Sequence, residues 1–473
     1  MRNFGFDSGS SARQARKGGG KIMNLRIAIL AAAFALFAGQ NPAEAQSNGQ
    51  GSYHLTLQEA VQLAMKHNHI VRIAEYEVEL KEHSKEAARS AYLPVLRNES
   101  RVFTVTDTQF IQIPAGGLGN AAGTQIPSQP VTLNQGGKTF VTSGTSLEEP
   151  ITQLFSRIKP NNDIAKANLN AARADAQQTE NEIALKVHQI YYKVLIAQLH
   201  RSATETRIKA AQDLESESLE QVKFGSNLEE QLIETRAQSL EAKQELLTTN
   251  LELSDLTMQL NDAVGLPLTT QLSLDPDIVS QRGTCALEDC LESTRKSHPD
   301  IMAARAEVEK ASAAGRLARA DYIPDVSAFA RYSYSDNVPF LARNFGSFGV
   351  QLTYDLFDGG RRRAEGRESD AQLAQARENL ARVTEETELK VQIAYNKLER
   401  TREMVQVSKE VLALREESTR VSTQQLQHGA ALRSQADTAV ARELEAKTTL
   451  LQSQLGFIQA GDELTVAMGQ TPQ

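Results

Sequence analysis

Positive charge is in short supply in this 473-residue chain: 51 Lys and Arg stand against 59 Asp and Glu, a net charge of -8 with a pI near 5.7. A protein that neutralises phosphates needs clustered Lys and Arg. No basic stripe occurs, so nucleic acid is excluded as a partner. Cysteine is scarcer still, with Cys285 and Cys290 alone. On one continuous helix their Cα atoms would lie beyond the roughly 7 Å limit for a bridge. A disulfide, which an oxidising compartment permits, therefore requires Cys285 to lie ahead of the helix; the alternative is two small buried residues. Catalytic constellations are missing too. Gly18-Gly19-Gly20-Lys21 continues with Ile22 and lacks the hydroxyl that a phosphate-cradling loop needs. In His67-Asn68-His69 the two histidines sit on different faces of a predicted helix. His188 and His200 are isolated, and no His, Cys or carboxylate group has zinc spacing. Nothing here calls for an enzyme, a metal or a cofactor.

The apolar run Ile27 to Ala38 follows Arg26 and is about 12 residues long, short of the roughly 20 that a spanning helix needs. With Ala43-Glu44-Ala45 behind it, the run reads as a signal peptide cleaved before Gln46. Residues 1–22 are polar and rich in Gly and Ser, so translation is expected to start at Met23. Residues 1–45 are thus an extension and leader, and export follows.

The remainder is a duplication. An ungapped match at an offset of 230 relates Leu57 to Leu96 with Leu287 to Val326, pairing Tyr92-Leu93-Pro94 with Tyr322-Ile323-Pro324. A second match, at an offset of 204, pairs Leu185-Lys186-Val187 with Leu389-Lys390-Val391, Gly225 with Gly429, and Gly265 with Gly469. The expected units are 46–267 and 268–473, each repeating one plan.

Each plan runs from a helix through a stretch rich in Phe, Tyr, Thr and Ser to a very long helix, a Gly break and another helix. Val326, Ala328, Ala330, Tyr332 and Tyr334 alternate with polar residues, as do Phe348, Val350, Leu352, Tyr354 and Leu356, a period of two that Phe329 alone interrupts. Strands are expected at about 326–335 and 346–357 and, by the repeat, at about 95–108 and 140–151. Each is near the length of a tilted membrane strand. The insertion Gln109 to Lys138, rich in Gly, Pro, Asn and Gln, reads as a long surface loop. Four strands cannot close a barrel, which needs about eight or more, so oligomerisation is expected. Between Asn161 and Val222 neither Pro nor Gly occurs, and helix formers dominate. Ile183, Val187, Ile190, Val194 and Ala197 keep the four-three spacing of a coiled-coil seam, echoed by Val391, Ala394 and Leu398.

These features together resemble the TolC-type outer membrane efflux protein family. Leu57-x-x-Ala60 with Lys66-x-Asn68 is similar to the family's first-helix pattern, Tyr322-Ile323-Pro324 to its strand entry, and Leu356-Phe357-Asp358-Gly359-Gly360 to its strand-to-helix turn. Val264-Gly265-Leu266-Pro267 resembles the end of the first repeat. Gln153-Leu154-Phe155-Ser156-Arg157 departs from the Asp-Gly-Gly turn. The resemblance implies a mainly helical fold: a homotrimer with a twelve-stranded barrel in outer-membrane lipid, a helical barrel through the periplasm, a periplasmic adaptor (membrane fusion protein) and an inner-membrane transporter of RND, ABC or MFS type. The lipid-anchor cysteine found in some members is absent here. A periplasmic coiled-coil adaptor is the competing reading, but adaptors lack period-two strands with an aromatic load.

In the family an acidic residue commonly follows the second tip glycine by six positions; here Gln435 follows Gly429 and Gln231 follows Gly225. The expected pore gate and adaptor-docking tips therefore comprise Gly225, Glu229, Glu230, Gln231 and Glu234 with Gly429, Arg433, Gln435 and Asp437, the acids Glu234 and Asp437 facing the pore. Arg157, Lys159, Arg361, Arg362 and Arg363 are expected to snorkel at the periplasmic membrane interface.

Overall fold

The computed structural model describes residues 53–107, 110–134, 137–225, 229–275, 285–336, 338 and 342–472. The leader and its cleavage site lie outside the described residues.

The chain begins with strand β1 (Tyr53–Leu55) and helices α1 (Leu57–His67) and α2 (His69–Ser90). Thr56 starts α1 with a reciprocal cap: its Oγ1 accepts from the Glu59 amide at 3.3 Å, and Glu59 Oε2 accepts from the Thr56 amide at 3.1 Å. The second repeat opens with α5 (Leu287–Ser297) and α6 (Pro299–Ala320), equal in length to α1 and α2 and offset by the same 230 residues. Even the kinks correspond. Asn68 Oδ1 accepts from the Ile70 amide at 2.9 Å, and the equivalent His298 accepts through Nδ1 from the Asp300 amide at 3.1 Å. Burial holds the His298 imidazole below its ordinary pKa, which favours the neutral ring that can accept.

Strands β2 (Val95–Thr104), β7 (Thr139–Pro150), β9 (Asp325–Asp336) and β10 (Asn344–Thr353) form one antiparallel sheet in the order β10-β9-β7-β2. The register puts Phe348, Ala330, Leu147 and Leu96 in one row, and Val350 with Ala328 and Leu352 with Val326 in rows on the same face. Both alternating apolar sets therefore share a face. The other face carries Arg97, Glu99, Arg101, Glu148 and Arg331, together with the stacked pair Phe103–Phe140, whose centroids are 5.2 Å apart. The apolar face is not uniform: on β2 and β7 it includes Asn98, whose amide donates to Thr145 Oγ1 at 2.8 Å. That substitution of polar pairs for apolar ones is why alternation is weak in the first repeat. Tyr354 and Leu356 extend the alternation in sequence but lie beyond β10.

Four strands are not the whole inventory. β1 pairs in parallel with β8 (Leu272–Leu274), and the expected surface loop contains β3 (Phe110–Ile113), β4 (Asn120–Ala121), β5 (Thr124–Gln125) and β6 (Val131–Asn134), in which β3 pairs with β6 and β4 with β5. All are too short for periodicity to reveal.

Two hairpins of long helices make up most of the fold: α3 (Lys159–Lys223) with α4 (Glu229–Val264), and α7 (Arg361–Gln427) with α8 (Arg433–Ala467). At 65 and 67 residues, α3 and α7 each extend about 100 Å. The predicted seams are buried, Val187, Val194 and Val391 completely. One core gathers Val187, Tyr191 and Val194 with Leu55, Leu260 and Val264; a second gathers Cys290 and Leu291 with Val391, Leu398 and Leu464. Tyr191 joins the first core to the β1–β8 pair. Its hydroxyl lies 3.0 Å from the Leu55 carbonyl and accepts from the Asp275 amide at 3.0 Å. Burial pushes its phenol up to about 12, so it stays a donor at any physiological pH. α5 starts at Leu287, which frees Cys285 to fold back; Cys285 and Cys290 are disulfide-bonded with Cα atoms 6.0 Å apart.

Candidate functional site

The two hairpin turns are built alike. Helix α3 ends where the Phe224 amide bonds the Glu220 carbonyl at 3.1 Å and Gly225 turns left-handed at φ +66°; α7 ends where the His428 amide bonds the Gln424 carbonyl at 3.2 Å and Gly429 turns at φ +68°. Only glycine takes this conformation without strain. Glu229 and Glu230 lie in the first turn of α4, where the positive end of the helix dipole favours them. Gln231 and Glu234 are exposed, and Glu234 Oε1 accepts from Gln238 at 3.1 Å.

The second tip is more constrained. Gln435 is a capping residue whose Oε1 accepts from the Leu432 amide at 3.2 Å. The Ser434 amide donates to Glu217 Oε1 at 3.1 Å, so a carboxylate of α3 caps the start of α8 and ties the two hairpins together. Arg433 Nε stands 3.6 Å from Asp437 Oδ2; the arginine is exposed and the aspartate half-buried. The structure thus brings Arg433, Gln435 and Asp437 together on one turn, leaves Glu234 on an open face of α4, and adds Glu217, which sequence reasoning missed.

At the other end, where the sheet meets the long helices, the five basic residues divide. Lys159 and Arg363 are exposed. Arg362 contradicts the expectation of snorkelling, because it is buried at 8% exposure. Its Nε donates to Asp358 Oδ2 at 2.7 Å and its Nη2 to the Asp355 carbonyl at 2.7 Å, while the guanidinium lies 5.1 Å from the Tyr354 ring centroid and 5.5 Å from that of Tyr322. Asp358 also accepts from the amides of Gly360 and Arg362, and these bonds draw its carboxyl down to about 2. Arg157 and Arg361 converge on Asp321, at 3.0 and 3.6 Å. Where the second repeat turns through left-handed Gly359 and Gly360, the first uses a π-helical turn, Leu154–Ile158, anchored by Thr152, whose Oγ1 accepts from the Val326 amide at 2.8 Å.

His188, isolated in the sequence, is not isolated in the fold. Its Nδ1 lies 2.7 Å from Asp462 Oδ2, and the Tyr192 hydroxyl donates to the same oxygen at 2.9 Å, all three buried. The pairing spans 274 residues, and it joins α3 to α8. Among the described residues no group of three or more His, Cys, Asp or Glu could hold a metal ion, and no helix is long and apolar enough to cross a membrane.

What one chain leaves open is as informative. Strands β2 and β10 each have one unpaired edge within the sheet. Met404, Val407, Val411, Leu414 and Val421 form an exposed four-three seam along α7, and Ile233, Leu240, Leu247, Leu251 and Met258 a similar one along α4. Phe348 and Leu352 on the sheet are also exposed, at 89% and 66%.

The sequence model for outer membrane efflux proteins matches residues 290–470. No curated protein matches the chain. Among solved structures, CusC superimposes with a TM-score of 0.69 at 17% identity, covering 91% of this chain and 98% of that one. The CmeC outer membrane channel of Campylobacter jejuni gives 0.71 at 14% identity, covering 87% and 85%, and the open-state MtrE outer membrane channel of Neisseria gonorrhoeae gives 0.68 at 16%, covering 88% and 89%. At such identities the likeness to these structures is one of fold.

Proposed function

From a chain that resembles the TolC-type outer membrane efflux proteins, in sequence over residues 290–470 and in fold over most of its length, we propose the subunit of a trimeric channel-tunnel. It conducts substrates passively from a periplasmic adaptor and an inner-membrane transporter of RND, ABC or MFS type to the cell exterior. The observation that carries this reading is the pair of open sheet edges beside two uncovered helical seams. An edge cannot face lipid, because its amides and carbonyls would stay unpaired there. Pairing β2 of one copy with β10 of the next closes the sheet; three copies of the four-stranded sheet supply twelve strands. The same rotation brings the α4 and α7 seams against neighbouring helices, as coiled-coil packing requires.

In this arrangement the face with Phe348, Val350 and Leu352 meets lipid and the face with Arg97, Arg101 and Arg331 meets water. The loops that join β2 to β7 and β9 to β10 point out of the cell, and the Gly225 and Gly429 tips form the periplasmic entrance. The repeats 46–267 and 268–473 act as two halves of one subunit. Glu234 and Asp437 are the acids of the entrance, each repeated by the symmetry, and Asp437 is restrained by Arg433. Focusing in a narrow pore makes such a ring favour cations.

Mass measurement of the detergent-extracted protein tests the assembly. A trimer is expected, and a stably folded, lipid-inserted monomer would overturn the reading. For the entrance, planar-bilayer recordings of Glu234→Gln with Asp437→Asn are expected to lose cation preference. Unchanged selectivity together with unchanged adaptor binding would remove both roles from these tips.

A further inference from the structure

Residues 110–134 contain no Asp, Glu, Lys, Arg or His, in a chain that is 23% charged. They form an ordered arm. Strand β3 pairs with β6 in the register Ile111↔Leu133 and Ile113↔Val131, so these four aliphatic side chains share one face. Phe110, Gln112 and Thr132 occupy the other. Beyond them the ladder continues through the Leu118 amide bonded to the Ile126 carbonyl at 2.9 Å to β4 and β5, which turn at Ala122 and Gly123, both at positive φ. The aliphatic face is open: Ile111 is 52% and Val131 39% exposed, with Ile113 and Leu133 half-buried. A two-stranded hairpin is marginal in water without something packed on its apolar face.

We propose that the cover is the same arm of the neighbouring copies, so that the aliphatic faces of three arms, Ile111, Ile113, Val131 and Leu133, turn toward the three-fold axis and pack there as a collar at the outer mouth. The inference rests on the trimeric reading above. Two observations and one physical effect select this occupant. The arm grows from the connection between β2 and β7, and β2 is the open edge at which the next copy joins, so each arm stands at a subunit boundary. Packing one face of three identical segments around an axis sets each side chain of that face near its own copies, where a charge would meet the same sign; this arm has none. A cover made of phosphate-bearing lipid headgroups would instead call for Lys or Arg in the arm. Finally, three arms on one rim are held at an effective concentration in the millimolar range, so a small apolar contact suffices.

The test uses full-length protein in the outer membrane of intact cells. The two native cysteines are bonded to each other, so an introduced thiol has only its own copies to meet. Ile111→Cys and Val131→Cys, singly and together, are treated with a thiol-specific bifunctional cross-linker that cannot cross the membrane, alongside Gln112→Cys and Thr132→Cys from the opposite face. Dimer and trimer bands on denaturing gels, several-fold stronger from the aliphatic face than from the polar one, are expected. Equal cross-linking from both faces, or none from the aliphatic face in a protein whose native mass is that of a trimer, overturns the collar alone. A monomeric native mass overturns the trimer, and the collar with it.

Discussion

Four glycines hold left-handed backbone at the ends of the two hairpins: Gly225 at φ +66°, Gly265 at +76°, Gly429 at +68° and Gly469 at +79°. Replacing any of them with Ala costs about 1–2 kcal/mol for the backbone conformation alone. Their surroundings separate them into two classes. A Cβ on Gly225 or Gly429 meets nothing within 4 Å, so the conformational cost is all that is expected there. A Cβ on Gly265 would stand 2.6 Å from the His67 Cβ, and one on Gly469 would stand 2.6 Å from Pro299 Cδ and 2.8 Å from the His298 Cα. Those neighbours are backbone or close to it, where α1 meets α2 and α5 meets α6, and they cannot swing away. Overpacking adds about 1–3 kcal/mol, giving roughly 2–5 kcal/mol for Gly265→Ala and Gly469→Ala. Denaturant midpoints of the detergent-extracted protein, compared at one subunit concentration because assembly contributes to apparent stability, measure the difference. Asn, which tolerates the left-handed region, should recover part of the loss at Gly225 and Gly429 but not at Gly265 and Gly469. If Gly469→Ala is as mild as Gly429→Ala, or Asn is equally harmless at all four, the steric half of the reasoning is wrong.

Tyr192→Phe removes the hydroxyl that donates to Asp462 and leaves the ring in the core; removing one partner of a buried hydrogen bond costs about 1–3 kcal/mol, and a loss of that size in denaturant stability is expected. No change would mean that the remaining contacts of Asp462 satisfy it without the Tyr192 hydroxyl. Asp358 has a folded pKa drawn down to about 2, below its unfolded value, so its contribution to stability is present above about pH 4 and is lost as pH falls towards 2. Asp358→Asn should flatten that limb of the stability profile, and an unaltered acid limb would assign it to other carboxylates. The Cys285–Cys290 bridge closes a short loop, which by chain entropy stabilises by roughly 2 kcal/mol. Cys285→Ser should lower the denaturant midpoint accordingly, and a variant as stable as the parent would show that Cys290 needs only its buried place.

Much of the fold was legible because it is periodic. The seam from Ile183 to Ala197 and its echo at Val391, Ala394 and Leu398 announce long paired helices, and the shared face of Val326, Ala328, Ala330, Phe348, Val350 and Leu352 announces the sheet. What stayed hidden depends on single contacts between distant residues. Three adjacent arginines look alike in sequence, yet successive positions on a helix point about 100° apart. One of them, Arg362, turns in to Asp358 and two turn out. His188 reads as isolated because its partner is 274 residues away, although His188 and Tyr192 at i and i+4 on an apolar stripe were a usable sign of a buried polar pair. The uncharged arm reads as a loop because its Gly and Pro outweigh strands of four and two residues.

The tips were the hardest to read, for a different reason. Their sequence offers neutral amides at the positions where the family resemblance leads one to look for acids, and the structure gives Gln435 work as a helix cap. A Glu at this position would accept from the same amide and suit the helix N-terminus, so capping permits either residue and the neutral amide is a feature of this chain. Acidity has instead moved along the helices, to Glu234 on the open face of α4 and to Asp437 beside Arg433. In the proposed trimer, whether a given carboxylate faces the pore depends on the rotation of each hairpin about its neighbours, a property of three chains and not of one. Closure of the sheet does not depend on that rotation. An unpaired strand edge and an uncovered apolar seam must be satisfied by something, and the sequence that left them open repeats the complement on its other side.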